Sequence, residues 1–191
     1  MKLQLKLIFI CSVLVLAACN KRPEIGELEA RFYQHQAQFD DLTEIACAII
    51  HELETPYFRY FIQTSMEQDP YLQQRLEQVK QDPNFQSQLE ELDKSLLLIK
   101  FSGMTLQQHD NTDCSIYLPI WGIGFAGKGA SISYSYNPAQ LTEYNDEIFF
   151  KGDPDTLENS HFTKPLANGW YIEYKKYSST LSRLREQTEE K

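Results

Sequence analysis

Ser115-Ile116-Tyr117-Leu118-Pro119-Ile120-Trp121-Gly122-Ile123-Gly124-Phe125, followed shortly by Ser131-Ile132-Ser133-Tyr134-Ser135-Tyr136, decides the fold of this chain. The second stretch alternates strictly, so its hydroxyls face one side of a strand and Ile132, Tyr134 and Tyr136 the other. The first is densely apolar without strict alternation. That predicts a central strand buried on both faces, in which Pro119 demands a bulge or an edge position. Ala126-Gly127-Lys128-Gly129 between them reads as a hairpin turn. Downstream, Ile148-Phe149-Phe150 reads as a short strand. Ala167-Asn168-Gly169 before Trp170-Tyr171-Ile172-Glu173-Tyr174 is a second hairpin signal, because Asn-Gly suits positive φ. On the N-terminal side, Ile99, Phe101 and Met104 around Ser102-Gly103 suggest a strand carrying a bulge.

Further upstream the period changes. Ile25, Leu28, Phe32, Phe39, Leu42, Ala46, Ile49 and Leu53 recur at spacings of three and four, with His35 in the one polar place. This stripe predicts one helix over 24–54, opened by Pro23 and stopped at Thr55-Pro56. Ile45 and Ile50 widen it beyond a coiled-coil seam, which favours packing on the chain's own sheet over dimerisation. Tyr57 to Ile62 is a strand or an irregular connection. Asp69-Pro70 and Asp82-Pro83 each open a shorter helix, since aspartate caps and proline fits the first turn. Helices first and strands afterwards predict an α+β domain: a long N-terminal helix and two shorter helices packed on an antiparallel β-meander.

The first residues are of another kind. Lys2 and Lys6 precede an apolar run from Leu7 to Leu16, interrupted by Cys11 and Ser12, and Leu16-Ala17-Ala18-Cys19 closes it. That is a secretory signal peptide rather than a membrane span. Ending in cysteine, it resembles the lipobox of bacterial lipoproteins. The resemblance implies cleavage between Ala18 and Cys19, a diacylglycerol on the Cys19 sulfur, and acylation (palmitate or a similar chain) of the new amino terminus. Asn20, not Asp, implies the periplasmic face of the outer membrane. The chain then divides into a cleaved leader (1–18), a lipidated tether (19–23), one periplasmic domain (24–177) and a polar tail (178–191). Lys21 and Arg22 stand where they can touch anionic head groups.

Cleavage removes two lysines and no acids, leaving 173 residues of formal charge −11. Such a chain repels phosphate, which excludes nucleic acid as a partner. The bland reading of the charge is solubility; the sharper one is a docking face for a basic partner. Of the four cysteines, Cys11 leaves with the leader and Cys19 carries lipid. Cys47 and Cys114 remain in an oxidising compartment without a C-x-x-C motif or a histidine at ligand spacing, so they are expected to form a disulfide.

Several motifs look chemical. Gly122 to Lys128 matches the start of a P-loop, and Gly122, Gly124 and Gly127 satisfy G-x-G-x-x-G. Both motifs need a helix after the glycines, and the P-loop needs Ser or Thr after its lysine. Here strand alternation follows and Gly129 takes the hydroxyl position, so no nucleotide is expected. Asp153, Asp155 and Glu158 with nearby His161 lack the glycine of a Ca²⁺ loop and read as a solvated acidic loop. Asp40, Asp41 and Glu44 read as a helix charge cluster. His35, His51, His109 and His161 form no ligand pair, and the nucleophile elbow G-x-S-x-G is missing. No catalytic residue, metal site or cofactor is assigned. The expectation is a non-enzymatic lipoprotein, anchored in the membrane through Cys19, that binds an envelope protein in an assembly, inhibitor or immunity role. The alternatives are a glycan or small-ligand binder using Tyr134, Tyr136 and Trp170 on an exposed sheet face, and a periplasmic hydrolase whose carboxylates meet only in the fold.

Overall fold

A computed structural model describes residues 22–62, 81–109, 113–125, 128–144 and 160–178. The expected helix from Asp69-Pro70, the strand at Ile148–Phe150, the acidic loop at 153–158, the leader with Cys19 and the tail beyond Ser178 lie outside them. The described chain is α+β: three helices lie on one face of a six-stranded antiparallel sheet.

The apolar stripe is helical as two consecutive segments, α1 (Ile25–Gln34) and α2 (Gln36–Leu53). They meet at His35, with φ −120° and ψ 22°. The His35 N–H donates to the Phe32 carbonyl, three residues back, and its own carbonyl starts α2 by accepting from Phe39 N–H. The break has a packing consequence. Phe32 and Phe39 are seven residues apart, roughly 10 Å along an ideal helix, yet their ring centroids stand 4.8 Å apart. Both are fully buried, so the stripe packs on the chain's own sheet as its width implied.

Strand β1 (Tyr57–Phe61) follows, then α3 (Pro83–Leu98), capped by the Asp82 carboxylate on Asn84 N–H at 2.8 Å. The end of α3 corrects the expected bulged strand at 99–104. Lys100 adopts φ 61°, its N–H donates to Leu97 O, and Phe101 N–H donates to Leu96 O. This is a Schellman stop with lysine in the place usually taken by glycine. Arg31 holds it from α1, donating to Ile99 O at 2.6 Å while its guanidinium lies 4.7 Å from the Phe101 ring centroid. The strand proper begins at Gly103.

The remaining strands are β2 (Gly103–His109), β3 (Asp113–Phe125), β4 (Lys128–Tyr136), β5 (Ser160–Pro165) and β6 (Trp170–Ser178). Their order is β1-β2-β3-β4-β6-β5. The first four form a meander, but β5 goes to the outer edge and β6 returns between it and β4. Both expected hairpins are present: Phe125 pairs with Lys128, and Asn168 and Gly169 turn with φ 54° and 80°. The register carries Leu106, Ile116, Tyr136 and Trp170 across one row and Leu118, Tyr134 and Ile172 across the next, all on the face beneath the helices. Each large side chain fully buried there contributes about 1.5–3 kcal/mol relative to exposure.

Strand β3 departs from expectation. It is central only as far as Tyr117, where its ladder with β2 ends. Pro119, Gly122, Ile123 and Gly124 are exposed, so this half is not buried on both faces. Pro119 is accommodated by a register shift between Pro119 and Trp121, as its sequence position demanded.

Cys47 on α2 is bonded to Cys114 on β3, with Cα atoms 5.5 Å apart across a sequence separation of 67. Closing such a loop stabilises the fold by about 4 kcal/mol on the chain-entropy account. Replacing both cysteines by alanine is therefore expected to cost about 2–5 kcal/mol, read as a lower denaturant midpoint with a steeper slope, because the unclosed unfolded chain exposes more surface.

Candidate functional site

The alternation of Ser131, Ser133 and Ser135 puts a row of hydroxyls on the sheet face away from the helices, and β6 lays Glu173 beside them. The register pairs Ser133 with Glu173 across β4 and β6, and Thr163 with Glu173 across β5 and β6. After β4 the chain from 137 to 142 stays close to this face, and Tyr144 then packs on Phe162 of the other face. Ser115 Oγ donates to Asn137 O, and Thr163 N–H and Oγ1 both donate to Thr142 O.

Glu173 is 2 % exposed, an unusual position for a carboxylate. Three side chains satisfy it. Ser135 Oγ donates to Oε2 at 2.8 Å, while His161 Nε2 and Lys175 Nζ reach Oε1 at 2.8 and 2.9 Å. His161 Nδ1 is 3.1 Å from Thr142 Oγ1. Lys175 also lies 5.0 Å from the Tyr117 ring centroid. Burial and the negative charge of Glu173 push the Tyr117 hydroxyl above the usual phenol range, partly offset by a hydrogen bond with the Ala139 backbone.

Thr142, His161 and Glu173 thus follow one another as hydroxyl, imidazole and carboxylate, the order of a nucleophilic triad. Two features assign them a structural task instead. In a triad the carboxylate is kept for the imidazolium that forms during reaction; here Lys175 already shares the same oxygen. Thr142 is also locked through its backbone, its N–H donating to Thr163 Oγ1 at 3.1 Å and its carbonyl accepting from Thr163. The cluster clamps the 137–142 segment onto the sheet.

A second feature lies between the helices. Asp41, Glu44, Ile45 and Ala48 of α2 face Gln88, Glu91, Lys94 and Ser95 of α3 across a groove of about 520 Å³. Asp41, Glu44 and Glu91 are exposed on its walls, against one lysine. Gln88 Oε1 is buried and has no hydrogen-bond partner among the described residues. Asp40, the neighbour of Asp41, is used elsewhere: it accepts from Asn168 Nδ2 at 2.9 Å and ties α2 to the β5–β6 turn.

The sequence-derived candidates now have places. Tyr134 and Trp170 are buried against Phe32 and Phe39, with ring centroids 5.0–6.4 Å apart, so they make no exposed platform with Tyr136. The glycines at 122, 124 and 129 belong to two paired strands, and no helix receives a phosphate there. His51 Nδ1 is 3.4 Å from Gln108 Nε2, and His35 marks the helix break. Glu173 and Lys175 were missed. Their signal was the alternation of 171–175, but only the register with β4 shows which face that alternation joins. No protein-family model matches the chain, and no similar curated protein or solved structure was found.

Glu173→Gln removes the charge while keeping the shape, and is expected to destabilise the protein by about 2–4 kcal/mol, because Lys175 and His161 lose a buried partner. Thr142→Val should cost under about 1 kcal/mol in the same denaturant titration. Burial raises the Tyr60, Tyr117, Tyr134 and Tyr174 hydroxyls, the Asp93 carboxylate adding to the effect at Tyr60. A raised folded value means the stability is intact below the unfolded phenol value of about 10 and is lost as pH climbs beyond it. Spectrophotometric titration should accordingly show a set of tyrosines that ionise only with unfolding.

Proposed function

We propose that this protein is a lipoprotein held through Cys19 on the periplasmic face of the outer membrane, whose folded domain binds an envelope protein through a basic surface. The leader and Leu16-Ala17-Ala18-Cys19 support the anchoring. Helix α1 begins at Ile25, so the domain stands close to the lipid. The acidic groove between α2 and α3 carries the binding reading. Asp41, Glu44 and Glu91 together with the apolar Ile45 and Ala48 in its lining suit a lysine or arginine side chain, whose alkyl stem packs on apolar surface while its head meets carboxylates. The charge of the mature chain steers a basic partner toward it.

The test is affinity capture of the tagged protein from gently solubilised envelopes after crosslinking in cells, compared with a variant carrying Asp41→Lys, Glu44→Lys and Glu91→Lys. A stoichiometric companion whose recovery falls at least tenfold in the variant is the expected result. Equal recovery would remove the groove from the interaction, and recovery of the protein alone would remove the protein-binding role. Cys19→Ala should release the protein from membranes, and retention there through acyl chains would overturn the anchoring.

A further inference from the structure

Strand β6 runs from Trp170 to Ser178, and helix α1 lies along it in the reverse sense. Phe32 packs on Trp170 and Tyr134, and Leu28 O accepts from the Tyr134 hydroxyl. Arg22, the first described residue, is hydrogen-bonded to Tyr174 further along the strand. Traced back from Phe32, the chain therefore leaves the domain toward the end of the sheet where Phe125 pairs with Lys128 and Lys128 with Ser178. From Tyr174 to that end β6 extends roughly 13 Å. Cys19 stands three residues before Arg22 and reaches at most about 11 Å beyond it. The lipidation position and this end of the sheet thus come to one level.

That end is apolar on both faces and basic at its base. Ile123 is 51 % exposed and pairs with Ala130; Tyr177 is 52 % exposed and pairs with Gly129. Ala130 and Gly129 are neighbours, so alternation sends the two exposed side chains to opposite faces. Gly122 and Gly124 are exposed beside Ile123. Along Trp121–Phe125, Lys128–Ile132 and Tyr174–Ser178 the charged residues are Lys128, Lys175 and Lys176, with no acid among them, in a chain of formal charge −9. Lys175, although it meets Glu173, keeps a side chain 49 % exposed. The acids that open α1, Glu24 and Glu27, serve each other in its capping box. Apolar and aromatic side chains above a lysine collar are the combination that settles among lipid head groups, the lysines meeting anionic phosphates.

We infer that this end of the sheet, led by Ile123 and Tyr177, rests in the head-group layer of the same bilayer that holds the Cys19 acyl chains. The inference rests on the anchoring through Cys19 proposed above. The contact stays in the hydrated layer, where water satisfies the backbone groups of Gly122 and Gly124. Two points of attachment fix how the domain stands. Asp40 of α2 accepts from Asn168, in the turn before Trp170, so the Asp41 end of the acidic groove lies at the opposite end of the sheet. With the lysine end on lipid, Asp41 is turned into the periplasm, away from anionic head groups and toward a basic partner.

The experiment uses the full lipidated chain in vesicles of phosphatidylethanolamine and phosphatidylglycerol. A fluorophore is attached at Ile123→Cys or at Tyr57→Cys, the latter exposed at the opposite end of the strands. Cys47 and Cys114 are bonded to each other, so neither takes the label. Lipid carrying a nitroxide on its head group should quench position 123 at least threefold more than position 57. With the label at Tyr177→Cys, adding Ile123→Asp should cut the quenching at least twofold. Equal quenching at 123 and 57, or no effect of Ile123→Asp, in protein that is acylated and floats with the vesicles would overturn the tip contact and leave the anchoring standing. Protein that carries no acyl chain and does not float would overturn both. No groove residue is altered in these variants.

Discussion

Phe32 and Phe39 against Tyr134 and Trp170 form the contact on which the rest of the structure depends. The rings stand within 5.0–6.4 Å of one another and are essentially without solvent. A strand has two faces, and a shift of one residue would exchange them. This contact selects the face that is covered. Once Tyr134 and Trp170 point under the helices, Ser133, Ser135 and Glu173 must point away. Tyr134 reinforces the choice by donating its buried hydroxyl to Leu28 O at 2.7 Å. The Cys47–Cys114 bond adds a covalent limit on how far α2 can slide over β3.

The face left over carries Ser133, Ser135 and Glu173, and the deeply buried charge of Glu173 explains how the segment after β4 is held. A carboxylate removed from water is costly unless hydrogen-bonded and paired. Glu173 meets that requirement with a hydroxyl, an imidazole and an ammonium together. Because the ammonium is already in place, the cluster resembles a catalytic constellation in order while serving as a clamp. The groove between α2 and α3 has the opposite character: its carboxylates are exposed and stand against a single lysine. Charge that is compensated inside the fold holds structure, and charge left facing water is available to a partner.

Local rules were overruled where packing supplied the difference. Lys100 takes a left-handed conformation that costs a non-glycine residue roughly 1–2 kcal/mol, and Arg31 offsets this by holding the carbonyls of Ile99 and Lys100. His35 gives up regular helix geometry so that two phenylalanines can share one site.

The sequence by itself determined the α+β order, the helical stripe, both hairpins, the Asp82-Pro83 helix start, the disulfide partners and the irregularity at Pro119. All of these rest on periodicity, caps, turns or elimination among few cysteines, which are local signals. It also showed that the hydroxyls of Ser131, Ser133 and Ser135 share a face. Only the tertiary structure decided which face the helices cover, that β6 slots between β4 and β5, that β2 leaves β3 at Tyr117, and that Glu173 joins Ser135, His161 and Lys175. Those facts depend on register and on contacts between residues far apart in the chain. Alternation alone states that two faces differ, without stating which one meets the core.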